Sequence, residues 1–322
     1  MSGDILSIGE CMVELAPAPG VAGGLFRQGF AGDTFNTAVY LARLQDRPVH
    51  YLTGIGEDAL SDRLLDLCHD ESIGTGPMRR LADRTLGLYL IETDADGERH
   101  FQYWRSHSAA RAMFDGYDAR AFTDALAPYS TLYLSGITLA ILPPEHRRML
   151  IGALAALKAG EKSPLIVFDP NFRPRLWQSP EDPVACYRAA AAVSDVVLCT
   201  EEDVGALFDG TGTRDLAMLW RTWGADTIVL RTGRTGSLVV DSDNVATPVE
   251  ARFAGTPVDT TGGGDSFNAG FIAAYLDHAS AAAAAAYGHL VAGHVVTCPG
   301  AIVPRARWDA VFPATRDEAI TR

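Results

Sequence analysis

The segment 259–270, DTTGGGDSFNAG, carries residue types that suit phosphate chemistry. Apolar residues at helical spacing follow its glycines, which predicts a long helix that starts at Asp265. Glycines at a helix N-terminus expose backbone N–H groups, and the helix dipole adds partial positive charge, so such a loop binds anions. Because a carboxylate repels phosphate, we predict that Asp265 accepts a proton from a hydroxyl nucleophile beside the phosphate.

A simpler interpretation of the same segment is a flexible turn followed by a helix that Asp265 caps. Short glycine motifs often arise by chance. The chain contains no Walker A sequence, and the GxGxxG pattern fails here because residue 267 is Phe. A P-loop NTPase and a dinucleotide-binding domain are therefore disfavoured.

Arginines near aromatic residues provide a second candidate site. Phe101, Tyr103 and Arg105 alternate along a predicted strand, so they share one face of it. Arg173 follows the predicted strand 165–168, at the end where α/β folds place ligands. Guanidinium groups bind carboxylates bidentately, which would suit an anionic, hydroxylated ligand. Taken alone, each arginine is better explained as a surface or turn cation.

The elements that must position these residues are short apolar strands separated by helical segments. The predicted strands of this type are 5–8, 49–52, 131–134, 165–168, 196–199, 227–230 and 237–240, the last pairing back as a hairpin. The alternation predicts a mostly parallel sheet covered by helices on both faces.

Two segments break this alternation. Residues 12–30 and 86–105 predict an antiparallel appendage, with a hairpin turn at 94–97. Between them, Asp33 is the predicted N-cap of a helix over 34–44.

Composition and charge exclude several classes of protein. The 322 residues include 40 Asp and Glu against 27 Lys and Arg, a net charge of −13, and 48% are apolar. This is an ordinary globular composition whose acidic balance argues against a nucleic-acid partner. Five widely spaced cysteines without a CxxC pattern predict reduced thiols in a cytoplasmic protein. The Ala-rich stretch 279–296 predicts a packed helix, so we expect no membrane partner.

Several motifs resemble those of the ribokinase-like (phosphofructokinase-B type) carbohydrate kinases. Segment 259–270 resembles the C-terminal signature of that family, and 29–36, GFAGDTFN, resembles its glycine motif. Further segments resemble the branch of the family that acts on 2-keto-3-deoxygluconate: 9–12, 87–93, 97–105, 135–142 and 168–177. The resemblance extends from about residue 5 to about residue 305.

The resemblance implies a three-layer α/β/α core with a mostly parallel central sheet and a small antiparallel β lid. We accordingly expect one kinase domain over 1–315, with the lid formed by about 11–31 and 86–109. Residues 316–322 would form a C-terminal tail. The exposed edges and apolar face of such a lid predict a homo-oligomer formed through it.

The resemblance also implies the reaction, which is transfer of the γ-phosphate of ATP to a sugar hydroxyl with the help of Mg²⁺. Asp265 is then the general base, and the amides of Gly262, Gly263 and Gly264 form the anion hole. The branch that the chain resembles makes the 6-phosphate of 2-keto-3-deoxygluconate.

By the same resemblance, two sets of residues bind the ligands. The residues implied for the sugar acid are Gly32, Asp33, Asn36, Tyr89, Tyr103, Arg105, Arg173 and Asp265. The residues implied for ATP are Asn171, Arg173, Arg231, Gly233, Gly236, Gly262, Gly264 and Gly288. In this context carboxylate recognition becomes the better interpretation of Arg105 and Arg173, whereas His289 is expected to be a packed core residue.

The chain departs from the family pattern at several positions. Ala31 stands where many relatives have Gly, and Gly263 replaces the usual Ala of the anion loop. Thr200-Glu-Glu-Asp203 stands where the wider family has Asn-x-x-Glu, so Asp203 is expected to reach Mg²⁺ only through water. Asp259 is a weakly supported candidate for holding a monovalent cation such as K⁺.

Two alternatives remain open at this point. One is a kinase of another sugar, such as fructose or a related deoxy-ketoacid, and the other is a non-catalytic sensor of nucleotide or sugar acid on the same fold. A nicotinamide-dependent sugar-acid dehydrogenase is disfavoured because the chain lacks an early glycine fingerprint.

Overall fold

The computed structural model describes residues 3–18, 24–93, 99–177, 182–208 and 213–312. The strands are β1 (Ile5–Ile8), β2 (Met12–Pro17), β3 (Phe26–Ala31), β4 (Val49–Leu52), β5 (Gly54–Ile55), β6 (Ile73–Gly74), β7 (Arg79–Arg80), β8 (Gly87–Thr93), β9 (Arg99–Trp104), β10 (Thr131–Ser135), β11 (Leu165–Asp169), β12 (Val196–Thr200), β13 (Thr227–Arg231), β14 (Gly236–Val240) and β15 (Ala246–Glu250). The helices are α1 (Asp33–Leu44), α2 (Ala59–Asp70), α3 (Ala119–Leu126), α4 (Gly136–Ile141), α5 (Pro144–Lys158), α6 (Pro183–Ala191), α7 (Glu201–Leu207), α8 (Thr213–Thr222), α9 (Gly263–Leu276), α10 (Ala281–Val295) and α11 (Arg305–Val311). The predicted turn at 94–97 and the predicted tail at 316–322 lie outside the described residues.

The large sheet has the strand order β15-β14-β13-β12-β11-β10-β1-β4-β6. Strands β13 to β6 in this order pair in parallel, and β14 and β15 add an antiparallel edge. Every residue of β1, β10, β11 and β13 is buried, because helices cover both faces of the sheet. The chain leaves β1 toward β4 on one side, while β10 lies on the other. This reversal opens a crevice at the carboxyl ends of the strands.

The helices form two layers with separate apolar cores. One core contains Phe35 of α1 and Phe271 of α9, and the other contains Phe122 of α3, Leu154 of α5 and Trp220 of α8. The predicted three-layer α/β/α core is therefore confirmed. Within the part of the chain that the structure describes, no helix combines the length and the apolar character that a bilayer crossing requires.

The small sheet has the order β3-β2-β8-β9 and comes from two separated segments, as predicted. Its outer pairs β2–β3 and β8–β9 are antiparallel, but the central pair β2–β8 is parallel, with Met12 opposite Gly87. The strands β2 and β8 are separated by α1, β4 and α2, and such a long crossover allows parallel pairing where a short turn does not.

Two helices begin where the sequence did not predict. Helix α1 has Gly32 rather than Asp33 as its N-cap residue, so Asp33 is the first helical residue and its carboxylate does not cap the helix. Helix α9 begins at Gly263, two residues before Asp265, because Gly262 takes up the left-handed conformation at φ 75°. The side chains of Asp33 and Asp265 therefore lie in the first turns of α1 and α9, respectively.

Candidate active site

Asp265 lies where the N-terminal turns of α1 and α9 meet. The Nδ2 group of Asn36 donates a hydrogen bond of 2.7 Å to Oδ2 of Asp265. The hydroxyl of Thr37 donates to the backbone carbonyl of Asp265 at 3.2 Å. The two helices therefore fix both the carboxylate and the backbone of this residue.

The surroundings of Asp265 make its carboxylate an unusually strong base. Burial, together with the charge of the Asp33 carboxylate, raises the pKa of Asp265 to about 8, and the hydrogen bond from Asn36 opposes the rise. A base with a pKa near neutrality is well matched to taking a proton from a hydroxyl group.

The glycine loop presents backbone amides beside this carboxylate. Position 262 requires glycine, because its backbone is left-handed and a Cβ there would lie 2.3 Å from the carbonyl oxygen of Ala301. The N–H of Gly263 donates to the carbonyl of Thr260 at 3.1 Å. Among the described residues, no acceptor faces the N–H groups of Gly262 and Gly264, so these two amides are available to an anion.

Arg231 supports the glycine loop by hydrogen bonding to its backbone. Its guanidinium donates to the carbonyl of Gly264 at 2.9 Å and pairs with Asp169, whose Oδ2 also accepts a 2.6 Å bond from Asn268. Burial raises the pKa of Asp169 to about 6, with Arg231 opposing the rise. The sequence assigned Arg231 to the nucleotide, but the structure buries its side chain and directs these donors to protein oxygens.

Residues predicted for the sugar and for the nucleotide lie together at the end of β11. Asn171 donates from Nδ2 to Oδ2 of Asp33 at 2.9 Å, and its own N–H donates to Asp169. Gly32 lies so close to the backbone of Glu10 that a Cβ would be 2.1 Å from its carbonyl oxygen. This close approach explains why glycine is needed at position 32.

The small sheet contributes aromatic rings, and a largely buried arginine follows its last strand. The rings of Tyr89 and Tyr103 lie 5.8 Å apart, and the guanidinium of Arg105 lies 5.9 Å from the Tyr103 ring. Arg105 forms an ion pair with Glu10, and Tyr89 donates its hydroxyl to Glu14. Arg105 is therefore not a surface charge.

Sequence reasoning gave no role to Glu10, Glu14, Asp169 or Asn268. A signal for Glu10 and Asp169 was present, since Glu10 follows β1 and Asp169 ends β11, and ligands of open α/β sheets bind at such ends. The hydrogen bonds of Glu14 and Asn268 join distant parts of the chain and had no local signal.

Arg173 and Asp203 lie at the other side of the crevice. Arg173 is 53% exposed and its NH1 lies 3.2 Å from Oδ1 of Asp203. The second oxygen of Asp203 accepts a 2.7 Å bond from the Thr200 hydroxyl. The described ranges contain no group of three or more His, Cys, Asp or Glu side chains that could hold a metal ion. A single carboxylate fits a Mg²⁺ ion that keeps its waters and is bound mainly by phosphate oxygens.

Asp259 closes the loop that precedes the glycines. Its Oδ1 accepts the N–H of Thr261 at 3.0 Å, and its Oδ2 accepts the N–H of Gly300 at 2.6 Å. These bonds account for the residue as a loop anchor.

The residues predicted on the adenine side surround the β13–β14 loop and α10. Gly233 and Gly236 have φ angles of 66° and 130°, and a Cβ on Gly236 would lie 2.0 Å from the carbonyl of Val249. His289 lies 3.0 Å from the Ser237 hydroxyl, and burial lowers the pKa of His289 to about 4. His289 is thus a neutral, packed residue, as expected.

A family model, two curated proteins and a solved structure each match almost the whole chain. A family model described as pfkB family carbohydrate kinase matches residues 2–308. The 2-dehydro-3-deoxygluconokinase of Escherichia coli K12 is 39% identical over 95% of this chain and 98% of its own length. The enzyme of the same name from Dickeya dadantii is 39% identical over 94% and 97%. The crystal structure of 2-dehydro-3-deoxygluconokinase from Thermotoga maritima matches with a TM-score of 0.78 at 22% identity, over 94% of this chain and 96% of that one.

Proposed function

The chain belongs to the pfkB family of carbohydrate kinases, and on that premise we propose that it transfers the γ-phosphate of ATP to the 6-hydroxyl of 2-keto-3-deoxy-D-gluconate. The observation that carries the proposal is 39% identity over 95% of the chain to a curated kinase named for this substrate, which is also called 2-dehydro-3-deoxygluconate. The arrangement of base, amides and arginine around the crevice supports the same reaction.

In this proposal Asp265 takes the proton of the sugar hydroxyl as the new O–P bond forms, while the bond between the γ-phosphorus and the β–γ bridging oxygen of ATP breaks and ADP leaves. Asn36 holds the carboxylate toward the sugar, and the amides of Gly262 and Gly264 stabilise the negative charge on the transferred phosphoryl group. Gly263 helps to hold the loop through its bond to Thr260.

Bound Mg²⁺ would neutralise charge on the nucleotide phosphates. We propose that Asp203 holds it through water. We also propose Asp259 as part of a site for a monovalent cation such as K⁺. On the nucleotide side we retain Asn171, Arg173, Gly233, Gly236 and Gly288, and we propose that Arg231 acts there by supporting the glycine loop.

The sugar side of the proposal rests on charge. Arg105 and Arg173 are the cations that we assign to the sugar site, and a carboxylate-bearing substrate would pair with them. Gly32, Asp33, Tyr89 and Tyr103 complete the pocket.

We further propose that the small sheet acts as a lid over the sugar within one kinase domain spanning 1–315. The same sheet would join the subunits of a homo-oligomer, since its edge strands carry exposed aromatic side chains. We propose a cytoplasmic location, in keeping with five free cysteines.

The test is an assay of the purified protein with Mg-ATP and a panel of sugars, with ADP formation followed by a coupled reaction. We expect 2-keto-3-deoxygluconate to give the highest kcat/KM, and phosphorus NMR of the product to show a 6-phosphate. A preference for fructose would contradict the proposed substrate. Binding of sugar acid and ATP without ADP formation would contradict the proposed kinase activity.

A further inference from the structure

Glu10 and Arg105 form an ion pair that is removed from solvent. Their side chains are 1% and 11% exposed, respectively. Glu10 follows β1 at the crevice, whereas Arg105 follows β9 at the end of the small sheet. Burying two charges is expensive and does not by itself favour the fold, so such a pair calls for an explanation beyond stability.

The pair is incomplete in its hydrogen bonding. The ion pair joins NH2 of Arg105 to Oε2 of Glu10. Within the described part of the chain, neither Oε1 of Glu10 nor Nε of Arg105 has a hydrogen-bond partner, although both atoms are buried. A carboxylate and a guanidinium can form two parallel bonds, and here one of the two is missing. Glu10 therefore holds one end of the guanidinium and leaves donor capacity unused.

Positive charge exceeds negative charge around this pair. Arg111 is partly buried, attracted by Glu10 and repelled by Arg105, and burial lowers the pKa of Arg111. The charges that act on Arg111 are therefore those of three arginines (Arg105, Arg147 and Arg84) and of one carboxylate, Glu10. An incoming carboxylate would balance the local charge, whereas a neutral sugar would not.

Two glycines leave the space in which Glu10 sits. A Cβ on Gly87 would lie 2.9 Å from Oε1 of Glu10 and 3.3 Å from Cβ of Arg105. On the backbone side, a Cβ on Gly32 would lie 2.1 Å from the carbonyl oxygen of Glu10. Glu10 therefore packs closely against Gly87 in β8 and against Gly32 at the N-terminus of α1.

We propose that Glu10 is a positioning residue that orients Arg105 to receive the carboxylate of the sugar acid. This inference rests on the proposed function, because it assigns to Arg105 the substrate carboxylate. Glu10 would act through Arg105 and would not contact the reacting atoms.

The test is the variant Glu10→Gln, which keeps the size of the side chain and removes its charge. We expect KM for 2-keto-3-deoxygluconate to rise about tenfold, which is the scale of one charged hydrogen bond, while kcat stays within about twofold of the wild type. If Glu10→Gln does not fold, Glu10→Asp withdraws the carboxylate by one methylene and should raise KM in the same way.

The matched control is Glu71→Gln. Glu71 also forms a buried ion pair, with Arg43 in the last turn of α1, at the opposite end of that helix from Asp33. This control should lower the melting temperature without changing KM, so it separates loss of a buried charge from loss of substrate orientation.

A second arm uses Arg105→Met. If Glu10 acts through Arg105, adding Glu10→Gln to Arg105→Met should change KM no further. An unchanged or lower KM in the single Glu10→Gln variant, or an additive effect in the double variant, would overturn the inference while leaving the kinase assignment intact. A wild-type protein that does not phosphorylate the sugar acid would overturn both.

Discussion

At the scale of single residues, the proposed reaction depends on a carboxylate, Asp265, that is costly to ionise. Asp265 sits near Asp33 and is partly shielded from water, and both features raise its pKa. The same features would make it a better base for a sugar hydroxyl than an exposed aspartate. The ionised carboxylate therefore lowers the stability of the fold but binds a proton strongly, and such perturbed groups are common in catalytic sites.

Replacing Asp265 by Asn should separate the stability cost of the ionised carboxylate from its role as a base. We expect Asp265→Asn to fold and to lose at least ~10²-fold in turnover, because the base is gone. The pKa of Asp265 is raised from 3.8 to about 8, so its protonated form stabilises the fold at low pH and this contribution is lost as pH rises toward 8. The variant should therefore melt higher than the wild type above about pH 8 and similarly near pH 4, as measured by calorimetry. Near wild-type turnover would refute the role of the base.

The pH dependence of kcat/KM should report the ionisation of Asp265. Activity should rise with pH up to a limb near 8, because only the deprotonated form accepts a proton. In Asp33→Asn a neighbouring negative charge is removed, so the limb should move to lower pH even if KM also changes. A limb that stays in place would show that Asp33 does not act on this group.

At the scale of elements, α9 and α10 cross at glycines. A Cβ on Gly270 would lie 3.0 Å from the Cα of Gly288, and a Cβ on Gly288 would lie 2.8 Å from the carbonyl of Phe267. The close packing of these helices holds the N-terminus of α9, which carries the glycine loop. Gly288 is therefore needed for the packing of α9 on α10, in addition to its proposed role in nucleotide binding.

Gly288→Ala should push the two helices apart. We expect it to destabilise the protein by about 1–3 kcal/mol, which is typical of overpacking. The control is Gly152→Ala in α5, where nothing lies within 4 Å of the added Cβ. This change should stabilise the protein by up to about 1 kcal/mol, since Ala favours a helix over Gly. Chemical denaturation measures both, and equal effects would contradict the packing argument.

At the scale of the whole molecule, a protein with a net charge of −13 is proposed to bind two anions. Its overall field opposes both ligands, so binding must depend on local groups. The described site offers such groups in the amides of Gly262 and Gly264 and in the side chains of Arg105 and Arg173. The edge strands of the small sheet carry a different feature, which is exposed aromatic surface.

That surface leads to a prediction about assembly. Phe26 of β3 is 44% exposed and Trp104 of β9 is 56% exposed. We expect a homo-oligomer at micromolar concentration in sedimentation velocity, and we expect Trp104→Glu to increase the monomer fraction. A wild-type monomer under these conditions would count against assembly through the small sheet.

The sequence by itself determined the layered α/β class, the family and most strand positions. These features are local, because buried parallel strands are continuous apolar runs and the 259–270 motif is contiguous. The sequence placed the start of α9 two residues late. It did not show that Gly262 is left-handed and packs so closely on Ala301 that a Cβ would lie 2.3 Å from the Ala301 carbonyl oxygen. The parallel β2–β8 pair likewise depends on how a long crossover returns.

Only the tertiary structure decided which polar groups meet. Asn36 and Asp265 are 229 positions apart, and Glu10 and Arg105 are 95 apart. No local pattern specifies such pairs, because they form only when distant elements pack and bury them together. For the same reason the raised pKa of Asp265 belongs to the fold: it arises from burial and from Asp33, and the sequence reveals only the types of residue involved.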